Sequence, residues 1–182
     1  MPAYVAFLRA INVGGRFAKM ADVRAGLSQR GFGDVESHIQ SGNLRFTSSL
    51  PSFVEVEDAV ETALEDLCGF AVRTIVRTPA QLGALTAYGE GLAAPLKGEV
   101  RRYVTFLKRD PDDELVAMMS GWGVAGERVI VHGREAYLWL AHPFHEAKLT
   151  NARIERGGAV ATTRDWKVAK ALGERWGEAT SW

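Results

Sequence analysis

The sequence predicts an α+β protein of two ferredoxin-like lobes followed by a C-terminal helix. First, residues 1–78 alternate strand and helix patterns in the order βαββαβ, which defines the ferredoxin-like unit. Second, the strand pattern at Tyr4–Arg9 recurs at Tyr103–Lys108, and a similar order of elements follows each copy. Third, 47% hydrophobic and 24% charged residues supply the core of an ordinary globular protein.

The first half of the N-terminal lobe consists of a strand, a helix and a hairpin. Residues 3–9 alternate as strand residues do. The helix that follows has an apolar side and ends at Gly31, where a left-handed residue is favoured. Two short strands at 34–40 and 44–47 then enclose the turn Ser41–Asn43, because serine, glycine and asparagine are turn residues.

The second half of this lobe is a longer helix and a strand. Ser52 and Glu55 have the spacing of a capping box, which predicts a helix start at this point. Apolar residues then recur every three or four positions, as on one face of a helix: Phe53, Val56, Val60, Leu64 and Leu67. Residues 71–77 are rich in β-branched side chains and predict the last strand of the lobe.

The lobe boundary is predicted in a segment rich in proline and glycine. Pro79 suits the first position of a short helix, but the glycines that follow favour a loop. We therefore divide the chain into an N-terminal lobe at 1–78, a linker with a short helix at 79–100, and a second lobe with the C-terminal helix at 101–182.

The second lobe is predicted to repeat the pattern of the first. After the strand at Tyr103–Lys108, a helix is expected from Pro111 to Met119. Two strands around the turn 132–135 form a hairpin, and a helix at 147–156 leads to a short strand at 159–161. A final helix is expected to start at Thr162 or Thr163, since threonine is a frequent helix cap, with one apolar face formed by Trp166, Ala169, Leu172 and Trp176.

Composition disfavours several classes of protein. Lys and Arg total 22, as do Asp and Glu, so the chain lacks the positive excess of a non-specific nucleic-acid binder. Cys68 is the only cysteine, which rules out an internal disulfide and a cysteine-based zinc site. No apolar run approaches a membrane span, and residues 1–9 lack the features of a signal peptide. We expect a cytoplasmic protein that does not associate with membranes.

Three motifs occur in order along the chain: Leu8–Gly15 with Lys19 and Met20 shortly after, Gln40–Asn43 with Phe46, and Ala161–Trp166 preceded by Lys148 and Leu149. Together they resemble the DUF1697 family, a bacterial family of unknown function. The resemblance implies two α+β lobes and no particular activity. It also implies glycine where this chain has Ala10 and asparagine where it has Asp165.

The first motif has the composition of an anion site. A strand ends, a Gly-Gly loop follows and a helix begins, so backbone N–H groups and the helix N-terminus can face a negative charge. The candidate ligand-binding residues here are Arg9, Asn12, Gly14, Gly15 and Lys19. The alternative is a tight connection with solvated basic side chains.

Two further clusters complete the predicted site. Ser41, Gly42 and Asn43 are either ligand contacts at a strand end or ordinary turn residues. Hydroxyl groups and an arginine at a helix start also suit a phosphate or carboxylate, and this cluster comprises Lys148, Thr162, Thr163 and Arg164. We expect all three clusters to meet in one cleft, with Arg164 exposed enough for its replacement to cost little stability.

The favoured function is binding of a small anionic ligand that carries phosphate, with nucleotides among the classes considered. One alternative is an enzyme of phosphoryl or nucleotidyl transfer, with Asp22 or Asp165 as base or metal ligand; another is a protein-interaction module. We expect no cofactor and no metal, because Pro143 disfavours the helix that would align His142 with His145. Cys68 is expected to be a small packing residue.

Overall fold

The computed structural model describes residues 1–178, which form two compact units. The first unit comprises residues 1–84 together with the segment that begins at Leu172, and the second comprises residues 85–171. The C-terminal segment therefore groups with the first unit, whereas the sequence placed it in the second lobe. The Glu178 N–H donates to the Pro79 carbonyl at 3.0 Å, which helps to hold this segment there.

The first unit is a βαββαβ unit with one four-stranded antiparallel sheet in the order β2-β3-β1-β4. This is the connectivity of the ferredoxin-like unit and confirms the predicted fold. Its elements are β1 (Ala3–Leu8), α1 (Met20–Gln29), β2 (Gly33–His38), β3 (Asn43–Thr47), α2 (Phe53–Cys68) and β4 (Thr74–Arg77).

The second unit repeats this plan with the sheet order β6-β7-β5-β8. Its elements are β5 (Arg101–Leu107), α4 (Asp113–Ser120), β6 (Glu127–His132), β7 (Glu135–Leu140), α5 (Asn151–Ile154) and β8 (Ala161–Asp165), and the chain also forms α3 (Pro79–Gly91) and α6 (Trp166–Trp176). The α5 helix has four residues, whereas its counterpart α2 has 16. No helix of the described residues is long and apolar enough to cross a membrane.

The resemblance between the two strand motifs is matched by equivalent positions in the two sheets. In each unit the first strand lies between the third and the fourth, since β1 pairs with β3 and β4 and β5 pairs with β7 and β8. The register agrees as well: Val5 lies opposite Arg77, and Val104 lies opposite Arg164. The predicted equivalence of β1 and β5 is thus confirmed.

The α2 helix shows how local sequence builds the first core. The Ser52 hydroxyl accepts the Glu55 N–H at 3.2 Å and donates to the Glu55 carboxylate at 2.6 Å. Ser52 therefore caps the helix at the predicted start. The stripe that follows packs into the core through Val56, Val60 and Leu64. Leu67, at the end of the same stripe, remains 38% exposed.

The glycines of α3 do not break the helix, contrary to the predicted loop. A Cβ atom on Gly83 would lie 1.9 Å from the Glu178 carbonyl oxygen, and one on Gly89 would lie 2.2 Å from the Trp166 ring. These glycines therefore permit close approach of neighbouring groups. The helix begins at Pro79, as predicted, but extends through 13 residues to Gly91.

The start of the C-terminal helix also differs from the prediction. Thr162 and Thr163 lie in β8, opposite Phe106 and Thr105 of β5, so neither caps a helix. Asp165 takes that role, because its carboxylate accepts the Lys167 N–H at 2.8 Å. Asparagine and aspartate are comparable caps, which accounts for either residue at this position.

Replacing glycine by alanine should have different effects on stability at Gly89 and at Gly91 of α3, because neighbouring rings approach only Gly89 closely. Gly89→Ala should lower the free energy of unfolding by about 2 kcal/mol or more, because the new methyl group would overlap the Trp166 and Tyr137 rings. Gly91→Ala meets nothing within 4 Å and should be neutral or stabilising by about 0.5 kcal/mol. Urea unfolding of both variants measures this; equal effects would refute the packing role of Gly89.

Glu127 is a buried carboxylate that organises the loop between β7 and α5. It is fully buried and accepts hydrogen bonds from the Lys148 N–H at 2.6 Å, the Leu149 N–H at 3.1 Å and the Trp122 indole at 2.8 Å. Burial acts to raise the pKa of Glu127, but these bonds, with His142 at 3.3 Å, outweigh burial and lower the pKa below its ordinary value of 4.5.

Glu127→Gln should destabilise the protein by about 3 kcal/mol near neutral pH, because the amide would present N–H groups to existing donors. Since the pKa is lower in the folded state, the ionised carboxylate stabilises the fold fully above pH 4.5 and progressively less as pH falls through the folded-state pKa. The gap between wild type and variant should therefore narrow from about pH 7 to about pH 3.5 in urea unfolding. Exposed Glu99 provides the control, Glu99→Gln, and a gap independent of pH would contradict this account.

Candidate functional site

Antiparallel pairing brings the first two sequence motifs together in the first unit. Because β1 pairs with β3, the end of β1 meets the turn before β3, and the Leu8 N–H donates to the Gly42 carbonyl at 2.8 Å. A Cβ atom on Gly42 would lie 2.5 Å from the Ile11 side chain. Glycine at position 42 therefore lets the turn contact the loop after β1.

Asn12 joins this loop to the turn through its side chain. The amide Nδ2 donates to the Gln40 carbonyl at 2.6 Å, and Oδ1 accepts the Ala18 N–H at 2.8 Å. The backbone N–H of Asn12 also donates to the Arg16 carbonyl at 2.7 Å. Asn12 was predicted as a ligand contact, and the structure places it between the two loops.

Gly14 and Gly15 form a tight reversal of the loop. Val13 and Arg16 make an isolated antiparallel bridge, and the two glycines between them have φ of 58° and 83°. Positive φ at both central residues is the geometry of a type I′ turn, for which glycine is favoured. The pair is exposed, and Gly15 lies five residues before the first residue of α1, so its first role is to turn the chain.

Ser41 and Asn43 close the β2–β3 turn with their side chains. Asn43 is fully buried, and its Nδ2 donates to the His38 carbonyl at 3.2 Å and to the Ser41 hydroxyl at 3.0 Å. Side-chain bonds to the backbone of the same turn are typical of ordinary turn residues, which was the alternative to ligand contacts for this cluster. The Ser41 side chain is exposed beside the loop.

Unusual backbone conformations are concentrated in these two loops. Four non-glycine residues among those described have positive φ, and three of them are Ala10 at 55°, Asn12 at 57° and Ile39 at 52°. Such conformations cost free energy in residues with a Cβ atom, and they cluster at functional sites. This concentration marks the pair of loops as the candidate functional site.

A groove of about 540 Å³ lies beside these loops. We call it the α1 groove, because it runs along the start of α1, and its lining residues are Asn12, Phe17, Ala18, Lys19, Asp22, Val23, Gln40, Leu67 and Cys68. Phe17 is 71% exposed, and Val13 and Ile39 in the two loops also expose large apolar side chains. Val13 and Ile39 are not lining residues, but the lining itself is both apolar, through Phe17 and Leu67, and polar, through Lys19 and Asp22.

The charges at the groove are few and of both signs. α1 begins after Lys19 without a side-chain cap, and Asp22 lies in its first turn. The N-terminus of a helix favours an anion, although the Asp22 N–H in this first turn already donates to the Lys19 carbonyl at 3.0 Å. Lys19 is exposed, whereas the Arg16 guanidinium bonds the Ala71 carbonyl and stacks over Phe70 at 4.8 Å.

Two further residues, Arg9 and Cys68, lie in or beside this site. Arg9 is half-buried just after β1, and its N–H donates to the Arg73 carbonyl at 2.8 Å. Cys68 lines the groove, and burial raises the pKa of its thiol. The thiol therefore keeps its proton near neutral pH.

The C-terminal cluster lies in the second unit and is largely enclosed. Arg164 is 7% exposed, so the expectation of an exposed arginine is wrong. Its guanidinium donates to the Thr162 hydroxyl at 2.9 Å and to the Thr163 carbonyl at 3.0 Å. Burial lowers the pKa of Arg164 to about 10, and the group still carries its charge at neutral pH.

Thr163 and Lys148 belong to the same cluster and have different surroundings. The Thr163 hydroxyl lies 2.7 Å from the Thr105 hydroxyl and donates to the Asn151 side chain at 2.7 Å. Lys148 is exposed, and its backbone N–H binds Glu127. The single cleft shared by the N- and C-terminal motifs stays a prediction.

The histidines considered for a metal site have separate partners. His142 lies 3.3 Å from Glu127, and His145 lies 3.7 Å from Glu146. Within residues 1–178, no group of three or more His, Cys, Asp or Glu side chains is placed to hold a metal ion. Of the two carboxylates considered as a base, Asp22 lines the α1 groove and Asp165 caps α6.

Phe17 is an exposed groove residue that the sequence motifs did not indicate. It follows the glycine turn and lies three residues before the first residue of α1. A large aromatic residue within a short polar, glycine-rich loop has little core to enter, and that mismatch is the signal that could have identified it.

Comparisons with known proteins give a family and a fold. The model of the DUF1697 family, described as a protein of unknown function, matches residues 1–137. The solved structure of a conserved bacterial protein from Streptococcus pneumoniae is similar, with a TM-score of 0.67 and 24% identity over 95% of this chain and 97% of that chain. At this identity the likeness concerns the fold. No curated protein matches the chain.

The strained backbone at Ala10 predicts a stabilising substitution. Ala10→Gly should raise the free energy of unfolding by about 1 kcal/mol, because glycine adopts a φ of 55° without steric cost. The matched control, Ala25→Gly, changes an exposed residue inside α1 and should lower stability by about 1 kcal/mol. Urea unfolding compares the two; a loss in both would show that Ala10 is not strained.

Proposed function

The chain belongs to the DUF1697 family of proteins of unknown function, and from that premise we propose that its first unit binds a small anionic molecule with an apolar or aromatic body in the α1 groove. Nucleotides are one class with this chemistry. One observation carries the proposal. Two loops that contain residues with positive φ meet, and the groove beside them has both apolar and cationic lining.

The anionic end of the ligand would bind at the start of α1. The N–H groups of the first turn have no side-chain cap within the described chain, and Lys19 precedes them. A phosphate or carboxylate would gain hydrogen bonds from these groups and the attraction of the helix dipole and the ammonium group. Asp22 opposes this attraction, since it also lines the groove, and we expect it to limit affinity and to disfavour highly charged ligands.

The apolar end of the ligand would contact Phe17 and Leu67. Both side chains line the groove and remain exposed, at 71% and 38%. Covering exposed aromatic and aliphatic surface contributes about 25 cal/mol per Å². A nucleobase stacked on the Phe17 ring would use this surface, whereas inorganic phosphate would not.

The same exposed side chains support a second candidate, a protein-interaction module. Large apolar side chains are exposed in the groove, at Phe17 and Leu67, and in the two loops beside it, at Val13 and Ile39. Exposed apolar patches are typical of interaction sites.

A cytoplasmic location is part of either proposal. It rests on the single cysteine, Cys68, since disulfides are rare in that compartment.

Titration of the purified protein with pyrophosphate, adenosine and adenine nucleotides tests the proposal. Lys19→Gln should weaken nucleotide and pyrophosphate binding about fivefold, and Asp22→Asn should strengthen both about threefold, because each changes one charge at the groove. Phe17→Ala should weaken nucleotide binding only. Lys97→Gln changes an exposed lysine elsewhere in the chain and is the control.

The results separate the two candidates. If none of the compounds binds the wild type, or if Lys19→Gln behaves as Lys97→Gln does, the anionic-ligand proposal is wrong. The interaction module then becomes the better account of the exposed apolar residues. Binding of adenosine as tight as that of its phosphates would exclude a role for the charge at the start of α1.

A further inference from the structure

The side chain of Asn12 makes two contacts that connect two lining residues of the α1 groove, Gln40 and Ala18. We propose that Asn12 is a positioning residue that holds the groove in its binding-competent shape, and that it does not itself contact the ligand. This inference rests on the proposed function and assigns a role within that same site. It replaces the ligand contact that the sequence indicated for this residue.

Both heavy atoms at the end of the Asn12 side chain are engaged with backbone groups. Nδ2 lies 2.6 Å from the Gln40 carbonyl oxygen, and Oδ1 lies 2.8 Å from the Ala18 nitrogen. Gln40 belongs to the β2–β3 turn, and Ala18 is two residues before the first residue of α1. One side chain therefore sets the distance between the turn and the start of α1.

Ala18 packs against the hydrophobic core, but the loop has few other hydrogen bonds that attach it to the rest of the unit. At the end of β1, the Leu8 N–H bonds the Gly42 carbonyl, and in the middle of the loop Arg16 bonds the Ala71 carbonyl. Neither bond reaches Ala18 or Lys19. Loss of the Asn12 side chain should let residues 17–19, which line the groove, move relative to Gln40.

The backbone at position 12 explains why asparagine suits this role. Its φ of 57° is a left-handed conformation that asparagine and glycine adopt with little strain. Asparagine also offers one donor and one acceptor on a short side chain. Glycine would keep the backbone and lose both contacts, and aspartate would keep the acceptor for Ala18 and lose the donor for Gln40.

These properties define the variants for the test. Asn12→Gly removes the side chain without changing the φ preference. Asn12→Asp combined with Asp22→Asn keeps the net charge of the groove constant and retains the acceptor for the Ala18 N–H. Phe17→Ala is the comparison, because it removes apolar surface of the groove and leaves the Asn12 contacts in place.

The first measurement does not require a ligand. Hydrogen exchange of the Ala18 amide reports whether its hydrogen bond to Asn12 is present. In the full chain, Asn12→Gly should speed exchange at Ala18 at least about tenfold, whereas Phe17→Ala and the charge-balanced double variant should change it about twofold or less. Exchange of amides in the centre of β1 should stay the same, which separates local opening from global unfolding.

The second measurement uses pyrophosphate and an adenine nucleotide as probes. If Asn12 acts by holding the groove, Asn12→Gly reduces the population of the competent shape and weakens both probes by the same factor, about fivefold or more. Phe17→Ala should weaken the nucleotide alone. A merely structural residue elsewhere in the unit would leave both affinities unchanged in the folded protein.

Each outcome decides the inference. Faster exchange at Ala18 with an equal loss for both probes supports it. Unchanged exchange in Asn12→Gly, or faster exchange with unchanged affinities, overturns it. If the wild type binds neither probe, the proposed function fails and the binding role of Asn12 fails with it, and faster exchange would then establish Asn12 as a structural link only.

Discussion

The antiparallel pairing of the first strand with the third determines where the loops of each unit meet. Antiparallel neighbours place the end of one strand beside the start of the next. The Leu8 N–H therefore donates to the Gly42 carbonyl at 2.8 Å. In the second unit the Leu107 N–H donates in the same way to the Arg134 carbonyl at 2.9 Å. Two motifs separated by about thirty residues thus become neighbours through strand pairing. The Asn12 side chain adds to this connection by donating to the Gln40 carbonyl, and the α1 groove lies beside both motifs.

The order of the helices and strands could be predicted from the sequence because the spacing of apolar residues differs between a helix and a strand. The strand at Tyr103 and the helix that starts after Ser52 were both found where expected. The length of α3 was not predictable, because Gly83 and Gly89 are loop signals locally and close-packing residues in three dimensions. Thr163 was misassigned for a related reason: a threonine suits both a strand and a helix cap, and only pairing with β5 decides between them.

The candidate site was predictable in part, at the level of which loops it contains. The loop after β1 and the turn before β3 were both identified, and they do meet. The role of each side chain was not predictable, since small polar residues serve turns and ligands equally well. Asn43 is fully buried and bonds the turn backbone, and Arg164 is enclosed in the second unit. Phe17, which carries no polar signal, is the most exposed apolar residue of the groove.

The two units share a fold but differ in the residues at the start of their first helix. In the second unit the helix that corresponds to α1 is α4, and its N-terminus is capped by Asp112, whose carboxylate accepts the Leu115 N–H at 2.8 Å. Asp113 and Glu114 add negative charge in the first turn, which repels an anion. In the first unit the same position is occupied by Lys19, without a side-chain cap. Topology and register agree between the two units, while the residues at the start of the first helix differ in charge. The anion site proposed at the start of α1 therefore depends on the residues of the loop after β1 and is not a property of the shared fold.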